Sequence, residues 1–255
     1  AHSLRHLLRV LRSDEELPAV SQVQHDAPVA ADVVGLSGLA PPDAPAAIVT
    51  QGPVGMGGEP RQFTAGAKRD SSPRWSPDGR YFAYTSYKNG RPMVFLRHLK
   101  TGKEKILASF SGLNLCGSFS PDSKKILLTL SKDGNEEIYV LNLETMDLRQ
   151  LTHSFSIDVS PAWSPDGTQI AFQSNRDGQF EVYVINADGS DLRRLTTTGA
   201  NDWWPEWSAD GTSIAFISDR DGIGAIYLMA ADGSNPRRLT PLDSWNDSPA
   251  WRPAR

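Results

Sequence analysis

The chain of 255 residues contains one cysteine, Cys116. An intrachain disulfide is therefore impossible, which excludes the small disulfide-stabilised folds. Cys116 lies among apolar neighbours on a predicted strand, and this favours a small buried side chain over a reactive thiol.

Long apolar runs and basic clusters are also missing. No apolar stretch approaches the length of a membrane span. The first residues, AHSLRHLLRVLRSDEEL, lack the apolar centre of a signal peptide, so we expect that any export signal has been removed. The formal net charge is −4, and lysine and arginine form no run, which argues against a nucleic-acid partner.

Motifs for catalysis are equally scarce. The chain has no G-x-S-x-G elbow and no glycine-rich nucleotide loop, and its five histidines show no metal-ligand spacing. A Ser/His/Asp triad assembled by the fold is not excluded. The sequence therefore predicts no enzyme and, calcium apart, no cofactor.

One octapeptide stands out instead. SPAWSPDG, at residues 160–167, places two prolines around a tryptophan and ends in an Asp-Gly turn. Variants of it recur with an aromatic residue at intervals of 44 residues, namely Trp75, Phe119, Trp163, Trp207 and Trp251. A fixed period of this length is typical of repeat architectures. A second series in the same register begins upstream of the first tryptophan, at Phe63, Leu107, Leu151, Leu195 and Leu239.

Each repeat parses into four short strands. In residues 160–196 the strands SPAW, QIAFQS, FEVYVIN and LRRLT are separated by the turn sequences SPDG, NRDG and NADGSD. Four antiparallel strands in a repeat of 44 residues predict an all-β fold, a β-propeller of four-stranded blades. Helical solenoids are excluded, because turn signals recur every 8–12 residues. The first strand of a blade lines the channel as an edge strand, where proline is tolerated.

The anchors count five blades. The last anchor, Trp251, lies near the C-terminus, so the outer strands of its blade must come from upstream. Residues 60–64 fit the fourth strand, 47–50 the third and 32–36 the second, so that strands from both termini close one blade. We therefore predict a propeller over residues 31–255. Residues 1–30 form a separate N-terminal segment with helical spacing of leucines over 3–17.

The signature resembles a known family. The SPxWSPDG strand, the (N/D)RDG turn and the xDGSxxRRLT strand are similar to the WD40-like repeat of TolB-type propellers. The resemblance implies a periplasmic protein that binds the peptidoglycan-associated lipoprotein, or another envelope protein, on one propeller face. It also implies six blades as an alternative to five. Residues 1–45 do not resemble the α/β domain of that family.

A ring of oxygen-bearing side chains is predicted at one end of the channel. The D–A and B–C loops of a propeller share a face, here called the channel-mouth face. Five residues before each anchor, the predicted D–A loops carry Asp70, Asn114, Asp158, Asp202 and Asn246. Such a ring suits Ca²⁺. The alternatives are that these side chains bind loop N–H groups or contact a basic group of a partner.

Tryptophans mark a candidate partner surface on the same face. Trp203, Trp204 and Trp245 are predicted in D–A loops, and exposed tryptophan is enriched at interfaces. With Asp158, Asp202 and Asn246 they form the predicted partner site; inter-blade packing is the alternative. The B–C residues Asn89, Asp133, Asp177 and Asp221 are interpreted as turn formers.

These observations favour a non-enzymatic, TolB-like scaffold that recognises a partner protein through the channel-mouth face. Two alternatives stay open. The chain is a propeller domain associated with a hydrolase or a sugar-acting enzyme, or it is an engineered or mosaic propeller without a natural function. The second alternative is motivated by the eight lysines, all of which lie between Lys68 and Lys132.

Overall fold

The computed structural model describes residues 49–50, 61–62, 64, 70–243, 245–246, 249 and 251. These residues form β-strands, turns and irregular segments, and none of them is helical. In this described part there is accordingly no helix with the length and apolar character that crossing a bilayer requires. The predicted N-terminal helix and the predicted strand at 32–36 lie outside it.

Sixteen of the eighteen strands form four antiparallel sheets of four strands each. Each sheet uses four consecutive strands in sequence order, so every blade is one local unit of the chain. Blade 1 contains β3 (Asp70–Trp75), β4 (Tyr81–Ser86), β5 (Met93–His98) and β6 (Glu104–Ala108). Blade 2 contains β7 (Asn114–Phe119), β8 (Lys125–Leu130), β9 (Glu137–Asn142) and β10 (Leu148–Gln150). Blade 3 contains β11 (Asp158–Trp163), β12 (Gln169–Ser174), β13 (Glu181–Asn186) and β14 (Arg193–Arg194). Blade 4 contains β15 (Asp202–Trp207), β16 (Ser213–Ser218), β17 (Ala225–Ala230) and β18 (Arg237–Arg238).

The blades pack face to face around their first strands. β3 contacts β7, β7 contacts β11, and β11 contacts β15, so the inner strands of successive blades lie side by side. The second strand of each described blade is buried along almost its whole length. In blades 2 and 3 the neighbouring blades cover both faces of this strand. This arrangement confirms the predicted all-β propeller of four-stranded antiparallel blades.

The Ser-x-Asp-Gly turn between the first and second strands closes by local hydrogen bonds. In blade 3 the Ser164 hydroxyl donates to Asp166 Oδ1 over 2.5 Å and accepts the N–H of Gln169 at 2.9 Å. Gly167 donates its N–H to the carbonyl of Ser164 and adopts a φ of 72°, which glycine takes without strain. The same bonds recur in the other three blades, so this turn is a local property of the repeat.

The proline of each inner strand lies at a β-bulge. The pairing of β11 with β12 shifts between Val159 and Ala162, and Ser160, just before Pro161, has a φ of 56°. The equivalent residues of blades 1 and 4, Ser72 and Trp204, also have positive φ. Bulges on edge strands are where a sheet accommodates proline. The edge position was predicted, and the bulge adds a second reason for the proline.

The anchor aromatic residues pack against the preceding blade. Trp163 joins a cluster that contains Leu127, Ile138 and Val140 of blade 2 together with Phe172 of its own blade. Phe119 packs in the same way against blade 1, and Trp207 against blade 3. These contacts confirm the predicted sideways packing for the anchors of blades 2, 3 and 4. Trp75, the anchor of blade 1, is 41% exposed and packs on Phe82 of its own blade.

Blade 2 carries Gly117 where the other described blades have proline. A Cβ at this position would lie 2.7 Å from the carbonyl oxygen of Leu127 and 2.9 Å from Cγ of Pro161 in the next blade. The glycine therefore allows the inner strands of blades 2 and 3 to approach closely. Cys116, beside it, is buried as predicted, and burial raises the pKa of its thiol to about 12.

Two further strands pair with each other as the predicted closing blade requires. β1 (Val49–Thr50) pairs antiparallel with β2 (Arg61–Gln62), in agreement with the predicted third and fourth strands. Beyond blade 4, Trp251 donates its indole N–H to the carbonyl of Glu206 at 3.0 Å. The number of blades stays a prediction, because the expected second strand lies outside the described residues.

Burial of the anchors predicts a graded response to truncation. We expect Trp163→Ala to lower the free energy of unfolding by about 3–5 kcal/mol, because it opens a large cavity between two blades. Trp75→Ala is the matched control, since Trp75 holds the same repeat position and is 41% exposed. Urea denaturation measures both, and equal losses for the two variants would contradict the inter-blade role.

Candidate functional site

The channel-mouth face is formed by the D–A connections and the B–C turns. The three connections between the described blades are each joined to the B–C turn of the following blade by a backbone hydrogen bond. Ser131 donates to the carbonyl of Leu113, and Asp219 donates to that of Asn201. In the described residues this face comprises connections 109–113, 151–157, 195–201, 239–243 and 245–246 and turns 87–92, 131–136, 175–180 and 219–224.

Asp158 and Asp202 lie beneath this face and not on it. Each is the first residue of an inner strand and is fully buried. Arg176 Nη2 binds Asp158 Oδ2 at 2.7 Å, and Arg220 Nη2 binds Asp202 Oδ1 at 3.1 Å. Each arginine comes from the B–C turn of the blade that contains its aspartate. This placement corrects the expectation that the two carboxylates lie in loops, whereas their contact with a partner stays a prediction.

The arginines are held by aromatic rings as well. The guanidinium of Arg220 lies 4.4 Å from the ring centroid of Tyr227, and that of Arg176 lies 4.9 Å from Tyr183. The Tyr183 hydroxyl donates to Asp177, and this hydrogen bond is the main cause that lowers the pKa of Asp177. The B–C turns of blades 3 and 4 therefore do more than turn the chain, because each joins a cation, a ring and two carboxylates.

The other members of the predicted ring also bind their own chain. The Asn114 side chain accepts the N–H of Phe110 at 2.9 Å and donates to its carbonyl at 2.8 Å. The backbone N–H of Asn246 donates to the carbonyl of Gly224. Asp70, like Asn114, begins an inner strand. Among the described residues no three His, Cys, Asp or Glu side chains are grouped to hold a metal. The calcium site stays a prediction, and the geometry favours the local interpretation.

Two buried glutamates line the junctions between blades. Glu137 accepts hydrogen bonds from the Thr152 hydroxyl at 2.5 Å and from the Ser154 N–H at 2.6 Å. Burial raises the pKa of Glu137, and the nearby charge of Asp158 raises it further, while the hydrogen bonds lower it. Glu181 repeats the arrangement with Thr196, and burial again raises its pKa.

The three tryptophans of the predicted partner site differ in position. Trp203 and Trp204 lie in the inner strand β15 and not in a loop, which corrects their predicted location, and both are half-buried. The N–H of Trp204 donates to Gln173 Oε1 of blade 3 at 2.8 Å. Trp245 lies in a connection, is 55% exposed, and its ring centroid is 6.2 Å from that of Trp203. Of the three predicted tryptophans, the structure therefore brings the rings of Trp203 and Trp245 together.

Further apolar side chains are exposed on the same face. Phe155 projects from the connection between blades 2 and 3 with its side chain fully accessible to solvent. Phe110 and Leu242, in two other connections, are each more than a third exposed. These residues were not predicted, because apolar side chains do not recur at one position of the connections in every repeat.

Inside the ring, two charged side chains connect blades 1 and 4. Arg74 of β3 and Glu206 of β15 hold the same position in their repeats, and their charged atoms are 3.4 Å apart. Burial raises the pKa of Glu206, whereas the charge of Arg74 lowers it. The pair links the inner strands of two blades that are not consecutive.

The buried Asp–Arg pairs generate one prediction. Arg176→Ala leaves the Asp158 carboxylate buried without its cation, so we expect it to lower the free energy of unfolding by about 3–5 kcal/mol. Arg238→Ala is the control, because its partner Asp221 is exposed, and we expect a clearly smaller loss. Urea denaturation of the two variants decides the matter, and similar losses would show that burial of the acid is irrelevant.

The buried glutamate Glu137 generates a second prediction. A carboxyl whose pKa is raised by folding binds more protons in the folded state, so its contribution to stability falls as pH rises above about 4.3. We expect Glu137→Gln to remove this dependence. The difference in unfolding free energy between variant and wild type then shifts in favour of the variant from about pH 4 towards neutrality. Urea titrations across this range measure it; a difference independent of pH is the contrary result.

Comparison with known proteins places this geometry in a family. A family model described as the TolB beta propeller domain matches residues 56–199 and 176–255. The Tol-Pal system protein TolB of Acinetobacter baylyi is 40% identical over 58 residues, which are 23% of this chain and 14% of that protein. The crystal structure of TolB from Acinetobacter baumannii aligns with a TM-score of 0.68 at 33% identity. That alignment covers 74% of this chain and 48% of the other, so the chain spans about half the length of this relative.

Propellers of enzymes resemble the chain more distantly. A puromycin-hydrolyzing peptidase of Mycobacterium tuberculosis aligns with a TM-score of 0.58 at 17% identity, over 70% of this chain and 30% of that one. At this identity the likeness shows the fold alone. The family model, in contrast, covers most of the chain together with its repeat signature, and the chain therefore belongs to the TolB β-propeller family.

Proposed function

We propose that the chain is a non-enzymatic scaffold that binds a partner protein through its channel-mouth face. The observation that carries the proposal is the exposure of Phe155, Phe110 and Trp245, three large aromatic side chains from three different connections of one face. Aromatic residues are enriched at protein interfaces, where they supply much of the binding energy. The buried charges below them hold the connections in place.

The family supports the nature of the partner. Curated relatives carry the name Tol-Pal system protein TolB. We infer from this name and from the family resemblance that the chain acts in the bacterial periplasm, with a lipoprotein or another envelope protein as its partner. In this proposal the rigid blades supply the frame, and the variable connections supply the contact surface.

Site-specific photocrosslinking in bacterial cells tests the face. A benzophenone amino acid replaces Phe110 or Phe155 on the channel-mouth face, or Ile106 or Leu192 as controls. The controls are exposed to a similar degree, 45% and 43% against 39% for Phe110, but lie on an outer strand and on the opposite C–D turn. We expect a crosslinked protein from the first two positions and none from the controls. Equal crosslinking from all four positions, or none from Phe110 and Phe155, contradicts the proposal.

A further inference from the structure

The Trp203–Trp245 pair is a built platform at the edge of the channel-mouth face. Its two rings lie 6.2 Å apart at an angle of 45°. Gly224 lies directly under Trp245, and a Cβ there would come within 2.8–3.0 Å of three atoms of the indole ring. The N–H of Asn246 donates to the carbonyl of Gly224 at 2.9 Å, which fixes the chain beside the ring.

The glycine is a special feature of blade 4. The equivalent positions of the other three blades are Pro92, Glu136 and Phe180, each of which carries a side chain where Trp245 lies in blade 4. Blade 4 therefore leaves the space that an exposed tryptophan needs. The indole ring of Trp245 is thus supported by Gly224, and more than half of the residue is exposed to solvent.

The charge around the platform is negative. At the channel-mouth ends of blades 3 and 4 lie seven carboxylates and four arginines, and the carboxylates are Asp158, Asp177, Glu181, Asp202, Asp219, Asp221 and Asp243. The four arginines, Arg176, Arg194, Arg220 and Arg238, are already bound to carboxylates of their own blade. Of the seven carboxylates, those of Asp219, Asp221 and Asp243 belong to the turn and the connection that frame the platform.

Positive groups bind aromatic faces in this chain already. The B–C turn of every described blade places a cation over a ring, from Lys88 over Phe95 at 3.8 Å to Lys132 over Tyr139 at 5.1 Å. Tryptophan has the strongest attraction for a cation among the aromatic side chains. An exposed tryptophan pair within an acidic surface thus has the chemistry to bind a positively charged side chain.

We propose that the Trp203–Trp245 platform binds an arginine or lysine side chain of a positively charged segment of the partner. The inference rests on the proposed function and adds the chemistry of the contact. The ring faces bind the cation, and the surrounding carboxylates attract the segment and slow its dissociation. The affinity consequently falls with rising salt concentration.

Paired peptides test the charge. One is a short glycine/serine peptide with several arginines, and the other carries citrulline, which keeps the shape and removes the charge. Calorimetry measures their affinity for the full chain. We expect the arginine peptide to bind more tightly, and Trp245→Ala to weaken it about fivefold or more, as loss of a cation–π contact predicts. Trp245→Phe is expected to retain part of the affinity.

Two further variants separate the platform from general effects. Gly224→Ala keeps both indole rings but displaces Trp245, so we expect the same loss as for Trp245→Ala, with folding checked by circular dichroism. Leu192→Ala removes an exposed apolar side chain from the opposite C–D turn and is expected to leave the affinity unchanged. The proposal is overturned if the arginine peptide does not bind, if citrulline binds equally well, or if Trp245→Ala leaves the affinity unchanged.

Failure of this inference is distinct from failure of the proposed function. Crosslinking from Phe110 and Phe155 without discrimination between the peptides retains partner binding and removes the cationic contact. Discrimination between the peptides without crosslinking retains the platform and removes the assignment of the whole face to a partner protein.

Discussion

The structure depends on the burial of both faces of every blade. A twisted sheet that is covered on both sides needs apolar side chains on each face, and the wedge between two such sheets needs one large side chain near the axis. Trp163 and Trp207 supply it in blades 3 and 4, and Phe119 supplies it in blade 2. Because each anchor packs against the preceding blade, the repeat explains the contacts between blades as well as the blades themselves.

The polar residues are divided between two tasks. Below the channel-mouth face, Asp158 and Asp202 are bound by arginines of their own blades. Each pair connects the start of an inner strand to a turn eighteen residues later. The aromatic residues of the connections point outward and have no counterpart in the repeat signature. The repeated part of the sequence therefore maintains the frame, and recognition depends on the residues that break the repetition.

Much of this frame follows from the 44-residue period. The period predicts four strands in each repeat, the edge position of the prolines and the packing of the anchors, because these features depend on contacts within one repeat or between neighbours. The placement of Asp158 and Asp202 was not predicted, because the recurrence of an acidic residue at one repeat position does not show which basic side chain binds it. A signal was nevertheless present, because Lys88, Lys132, Arg176 and Arg220 are also 44 residues apart.

Single departures from the period were harder to interpret. Trp203 and Trp204 were assigned to a loop, whereas β15 begins at Asp202, because the bulge before Pro205 hides the regular alternation of a strand. The contact between Trp245 and Gly224 joins residues of a connection and a distant turn. No periodic pattern contains such a pair, and the absence of a side chain at Gly224 acquires its meaning from the folded neighbour.

The contact between Arg74 and Glu206 lies at a definite depth in the channel. Both residues lie four positions beyond the start of their strands, about 13 Å from the channel mouth at the usual rise of a strand. A chain segment that entered from that end would reach a guanidinium–carboxylate bridge. The bridge therefore lies close to the ends of the inner strands that are opposite the channel mouth, one residue before each strand ends.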